Sequence, residues 1–329
     1  TIVAADLADN AVTIAKMASL ARGKIIYGDS AGDPAALALG SNGQVLTTDG
    51  TDISWGTVSS GPTFKTFGTD SIMIGDTTTG TIDAANYNTG LGVDIFAALT
   101  SGDYNVAVGR EALQALTTGA ANTAIGNQAL NSNTTGQYNT AIGSGALLSN
   151  TTASNNTAIG LNALVLNTTG YDNVGIGRNS LDANTDGHSN TAVGESSLTS
   201  NTTGDRNIAI GQNAMAVNTT GGENVAIGRN ALDANTTAST NTAIGDSALS
   251  ANTTGSNNTA VGHSTLISNT TADNNTAVGY NTASTNTTGA QLVALGWNAL
   301  RLNTTGSNNV AIGKRALDAN TTASENTAV

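Results

Sequence analysis

The chain has 329 residues, no cysteine and a formal net charge of −12. The missing cysteines exclude disulfides, thiolate metal sites and cysteine nucleophiles, and the acidic balance with scattered Lys and Arg argues against binding a phosphate backbone. Two histidines are too few for a histidine-rich metal cluster, and 3% aromatic with 10% charged residues suits neither an ordinary enzyme domain nor a charge-driven disordered segment.

No apolar run approaches the roughly 20 residues of a membrane-spanning helix, and no basic region followed by an apolar stretch opens the chain. The chain begins at Thr1 and stops at Val329, one position before the next periodic glycine. We read it as a piece of a longer chain, with any signal, anchor or tip lying outside it.

In residues 1–22, Leu7 and Ile14 stand seven apart, with Ala4, Ala11 and Ala18 on the neighbouring seam. That spacing predicts a short helical coil; the alternative is one amphipathic helix without a partner. Residues 23–60 read GKIIYG, PAALALG and GQVLTTDGTDISWG. These short apolar runs between Gly, Pro and Asp-Gly breaks predict a small all-β unit with a hairpin turn at Asp49-Gly50. Residues 61–68, entered through Ser59, Ser60, Gly61 and Pro62, are expected to form a linker.

From residue 69 onward the chain repeats. A glycine recurs every 17 residues from Gly75 to Gly313. Val, Ile or Leu precedes it in most copies, Ala stands two before it, Leu four after, and Asn seven after in twelve successive copies from Asn133 to Asn320. The residue directly after the glycine varies freely: Arg178, Glu195, Gln212, Arg229, Asp246, His263, Tyr280, Trp297, Lys314. That column is expected to face solvent.

Seventeen residues are too few for the paired helices of most α-helical repeats, and fixed Asn, Thr and Gly disfavour helix. The pattern predicts an all-β rod, a parallel β-solenoid or β-roll of about 15 coils over residues 69–329. Like residues stack at ~4.8 Å, for a length on the order of 70 Å if each chain makes its own coil. In N-T-A-I-G, period-two alternation is expected to turn Ile inward and Ala outward, and the second stretch, A-L-x-x-N-T-T-G, to bring Leu inward. Two sizeable apolar side chains per coil offer about 4 kcal/mol on burial, against roughly 1.5 kcal/mol per ordered residue. That imbalance predicts lateral packing as a homotrimer.

The repeat N-T-A-I-G-x-x-A-L-x-x-N-T-T-G resembles the head repeats of trimeric autotransporter adhesins, which implies a trimeric parallel β-roll. DNAVTIAKMA at Asp9–Ala18 and SNGQVLTTDGTDISWG at Ser41–Gly56 resemble modules of bacteriophage tail fibres, especially those of marine phages. Together these resemblances imply a virion fibre shaft or adhesin stalk. The expected partners are two further copies, other fibre proteins and a host-surface glycan, outside the cell; a bacterial surface adhesin is the alternative.

No Ser-His-Asp set, paired carboxylate or phosphate-cradling loop emerges, so neither catalysis nor a cofactor is expected; a polysaccharide depolymerase with its site built across chains is the remaining enzymatic alternative. Asp49, Gly50 and Asp52 lack the alternating carboxylates and terminal Glu of a calcium loop. Eleven N-T-T triplets match a glycosylation acceptor, but their fixed place in the repeat reads as a structural ladder. Paired Thr columns raise an ice-binding solenoid, although adjacent threonines point to opposite sides of a strand. His263, Tyr280 and Trp297 share one outward column in consecutive coils and are the candidate glycan contacts.

Overall fold

The computed structural model describes residues 25–28, 34–38, 40–41, 44–48, 53–57, 63–67, 70–75 and 84–329. The helical coil expected over 1–22 and the Asp49-Gly50 turn lie outside them. The chain divides into two units, Thr1–Pro62 and Thr63–Val329.

The first unit holds two antiparallel hairpins. Strand β1 (Ile25–Gly28) pairs with β2 (Pro34–Leu37), and β3 (Gln44–Thr48) pairs with β4 (Ile53–Thr57). The indole Nε1 of Trp55 donates to the carbonyl of Ala38 at 2.6 Å, and a Cβ at Gly40 would lie 2.5 Å from the Trp55 ring. Glycine is therefore what lets that ring lie against the backbone.

The second unit is a parallel β-solenoid of about 15 turns. It opens with β5 (Thr63–Phe67), antiparallel to β6 (Ser71–Gly75). Residues 61–68, expected to be a linker, thus contain a strand: T-F-K-T-F is rich in the Thr and Phe that favour strands, and β5 covers the edge that β6 would otherwise leave open. From β6 on, every pairing is parallel and advances by one coil. Strand β7 (Thr89–Gly92) is followed by three-residue strands from β8 (Val106–Val108) to β20 (Val310–Ile312), then β21 (Thr327–Ala328). The register never slips: Ala141 lies between Ala124 and Ala158, and Ile142 between Ile125 and Ile159.

Alternation within the strands has the opposite phase to that expected. The Ala of N-T-A-I-G points inward and is buried in coil after coil (Ala124, Ala141, Ala158, Ala226, Ala243), while Ile125, Ile142, Ile210 and Ile244 are exposed. The cause is the narrow bore. Leu130, Leu147, Leu164 and their equivalents are fully buried from the opposite wall, leaving the strand only a methyl's width. Against Ile95 even that methyl goes: a Cβ at Gly90 would lie 2.6 Å from Ile95 Cδ1.

Two asparagine ladders run through the bore. In the first, the Oδ1 of Asn190 accepts from the backbone N–H of Asn207 at 2.9 Å and from its Nδ2 at 3.2 Å, and Asn207 Nδ2 also donates to the Gly221 carbonyl at 2.9 Å. Asn224 repeats the arrangement on Asn207. In the second, Asn218 Nδ2 donates to Asn201 Oδ1 and to the Gly221 carbonyl, and Asn235 does the same one coil on. The N-T-T asparagines are these buried rungs, so the triplets are structural in this fold.

The corners demand left-handed backbone. In each regular coil the residue before the first Asn, the second residue after the glycine and the core Leu have φ near +55°, as at Tyr138 (57°), Gln128 (60°) and Leu130 (51°). Such residues are strained, and here ladder bonds and Leu burial hold them in place. The 17-spaced glycine is stricter. Gly211 has φ +135°, and a Cβ there would meet the Gly228 carbonyl oxygen at 2.5 Å. The other turn glycine needs no such φ, and Ala153, Ala238 and Ala272 take its place while staying buried.

The fold predicts that Asn207→Ala, which deprives Asn224 of its acceptor and Gly221 of a donor, costs roughly 2–4 kcal/mol. Asn207→Leu should cost less, because Leu292 already occupies this column, buried and with its N–H on Asn275 Oδ1. Urea denaturation of the two variants checks this; equal midpoints for Asn207→Ala and the parent contradict it.

Candidate functional site

The stacked register turns every outward sequence column into a line of side chains along the rod. In the column after the glycine, neighbours pair by chemistry. Arg178 pairs with Glu195, and Arg229 binds Asp246 through Nε and Nη2 at 3.0 and 2.9 Å. The Ser247 hydroxyl, 2.8 Å from Asp246, together with Arg229 holds that carboxylate below its usual range. Being depressed, it contributes stability above the unfolded pKa that is lost as pH falls through the folded one.

His263, Tyr280 and Trp297 lie one above another in this column, as expected. Their carbonyls accept in order from the N–H groups of Asn281, Asn298 and Arg315. The rings of His263 and Tyr280 stack at 5.3 Å with 14° between planes. Trp297 is flanked by the Lys314 ammonium and the Arg315 guanidinium, each 5.1 Å from its ring centroid. A cation against the indole face occupies part of the surface a ligand would stack on. The breaks beside the column face inward: Ala283 and Leu292 are buried.

A second aromatic group lies on the opposite flank of the strands, where sequence reasoning did not look. Tyr87 and Tyr104 stack at 4.8 Å with 8° between planes, and Tyr138 follows two coils later in the same column. In the adjoining column Tyr171 stacks on His188 at 4.8 Å, and His188 Nε2 lies 3.2 Å from Asp205 Oδ2. Aligning the residue before each first Asn would have revealed the tyrosine column.

The remaining outward surface divides in two. From Thr134 to Thr304 the first Thr of the N-T-T pair is half-buried and donates to a carbonyl of the next coil, as Thr219 does to Thr236 at 3.0 Å. Only the second is exposed, so the pair presents one hydroxyl column and not two. The strands present the other surface: Thr, Val or Ile at the first strand position and Ile, Val or Leu at the third, with Ile208, Ile210, Ile244, Val278, Val293 and Ile312 exposed along its length.

Buried charge is scarce. Asp233 is raised above the usual carboxylate range by burial, against the backbone N–H groups of Asp233 and Ala234, and its Oδ1 has no partner. It stands alone: among the described residues no group of three or more His, Cys, Asp or Glu is placed to hold a metal ion. A polar notch opens where Gly222 carries no side chain, between Asp205 and Ser239 and beside the Arg206–Glu223 pair. No helix among the described residues is long and apolar enough to cross a membrane. No protein-family model, curated protein sequence or solved structure matches the chain.

If the C-terminal column contacts ligand, Tyr280→Ala with Trp297→Ala lowers binding to cells or a glycan array at least severalfold while leaving the thermal midpoint unchanged. Unaltered binding by the folded double variant contradicts that role.

Proposed function

We propose that the chain is a shaft segment of an attachment fibre, a structural and adhesive part of a phage virion tail fibre that works by rigidity and multivalency and not by chemistry. The observation that carries this reading is the third strand column, apolar in every coil from Leu91 to Ile312 and exposed or half-buried in a single chain. A contiguous exposed apolar strip of this length marks an association surface.

The occupant that fits is a second copy of the same chain, because only another solenoid offers apolar side chains at the same period over the same distance. Three chains around one axis cover all such faces at once, and closed symmetry stops the contact from propagating. A coil over residues 1–22, suggested by the seven-residue spacing of Leu7 and Ile14, would fix the count, and the number three is supported by the resemblance of the repeat and of the opening modules to trimeric fibres. The outward aromatic columns would then be displayed threefold, which raises avidity without a new contact.

Light scattering on size-exclusion-purified protein is expected to give ~98 kDa, three times the 32.6 kDa of one chain. Ile210→Glu with Ile244→Glu places charges on the buried face and should return a folded species at one chain mass. A parent that runs at one chain mass contradicts the assembly, as does a double variant that stays trimeric.

A further inference from the structure

The tyrosine column on the flank opposite Trp297 has one vacancy. Register places Tyr87, Tyr104, Ala121 and Tyr138 in consecutive coils: Tyr104 N–H donates to Asn86 O, Ala121 N–H to Asp103 O and Tyr138 N–H to Ala120 O, at 3.1, 2.9 and 3.1 Å. Tyr104 is stacked on Tyr87 by one face, so its other face is directed toward the coil of Ala121, which offers only a methyl. Tyr138 bounds the same space from beyond. The exposures agree: Tyr104 and Tyr138 are 61% and 63% exposed, against 45% for Tyr87.

Two coil steps separate Tyr104 from Tyr138, or roughly 9.6 Å, twice the 4.8 Å between the stacked Tyr87 and Tyr104 rings. A six-membered ring midway lies about 4.8 Å from each tyrosine, inside the range of favourable ring contact. A flat aromatic guest would take the same spacing, as Tyr104 does on Tyr87, but it carries no ring of hydroxyls for the rim. A pyranose chair is thicker, and when its hydroxyls are all equatorial it shows only C–H groups on both faces. The rim suits its hydroxyls: the exposed Gln137 lies in the adjoining column, while the Asp103 carboxylate is engaged by the Asn86 N–H one coil back.

We propose that Tyr104 and Tyr138 form a clamp over Ala121 that holds one neutral pyranose with equatorial hydroxyls. The clamp is distinct from the His263, Tyr280 and Trp297 column and lies many coils away. It rests on the attachment reading only for its purpose, since the binding chemistry is complete within one chain.

Saturation-transfer NMR on the whole chain, irradiating aromatic protons, tests it with methyl β-D-glucopyranoside as the probe. The parent should transfer to the axial ring protons of the glucoside. Ala121→Tyr, which completes the column and leaves no room, should reduce the transfer at least tenfold, as should Tyr138→Ala, while Leu161→Ala, at an exposed position outside both aromatic groups, leaves it unchanged. Methyl β-D-galactopyranoside, with one axial hydroxyl, should bind several-fold more weakly. The clamp is overturned if the glucoside shows no transfer, if Ala121→Tyr retains it with an unchanged circular dichroism spectrum, or if phenol binds the slot and neither glycoside does. A protein that binds the glucoside through this slot but attaches to no cell keeps the clamp and loses the attachment reading.

Discussion

Everything in the solenoid depends on one asparagine side chain reading the coil beside it. A coil of 17 residues contains a single three-residue strand, too little ladder to fix its own register. The carboxamide supplies what is missing: Asn190 Oδ1 takes the N–H of Asn207, and Asn207 Nδ2 crosses the bore to the far turn at Gly221. One side chain thus ties strand to strand and wall to wall. Satisfying both ends of a buried amide in this way is favourable; leaving one end open is costly, so the ladder accepts insertions or deletions poorly.

That constraint sets the bore, and the bore sorts the apolar residues. Two Asn columns and one Leu column fill it, so the inward strand residue is reduced to Ala, or to Gly opposite Ile95. The large β-branched side chains are therefore left outside. A fold too thin to bury its own isoleucines displays them on the strand face, the surface on which the proposed assembly rests. The left-handed corners belong to the same economy: Leu130 accepts φ of 51° because no other path brings it into so narrow a bore.

Much of this was legible in the sequence. The 17-residue glycine ruler gave the coil, its circumference and its parallel stacking, and the free variation after each glycine identified an outward column that holds His263, Tyr280 and Trp297. The phase of the strand was not legible, because T-A-I and its mirror obey the same period and only the size of the bore decides between them. Strand β5 was hidden by the Gly61-Pro62 break before it. The tyrosine column went unread because its members are interrupted by Ala121, and the interruption acquires meaning only when coils are stacked.

The central claim is that each chain winds its own 17-residue coil in register with the next. Because the chain has no cysteine of its own, it can be tested with Thr203→Cys and Thr220→Cys, two exposed positions one coil apart. Their Cα atoms lie roughly 4.8 Å apart, within disulfide reach, whereas Thr203→Cys with Thr237→Cys spans about two coils, ~9.6 Å. Mild oxidation followed by denaturing electrophoresis should show a bond within one chain for the first pair and none for the second. A bond that forms only between chains, or equally well in both pairs, would contradict the account.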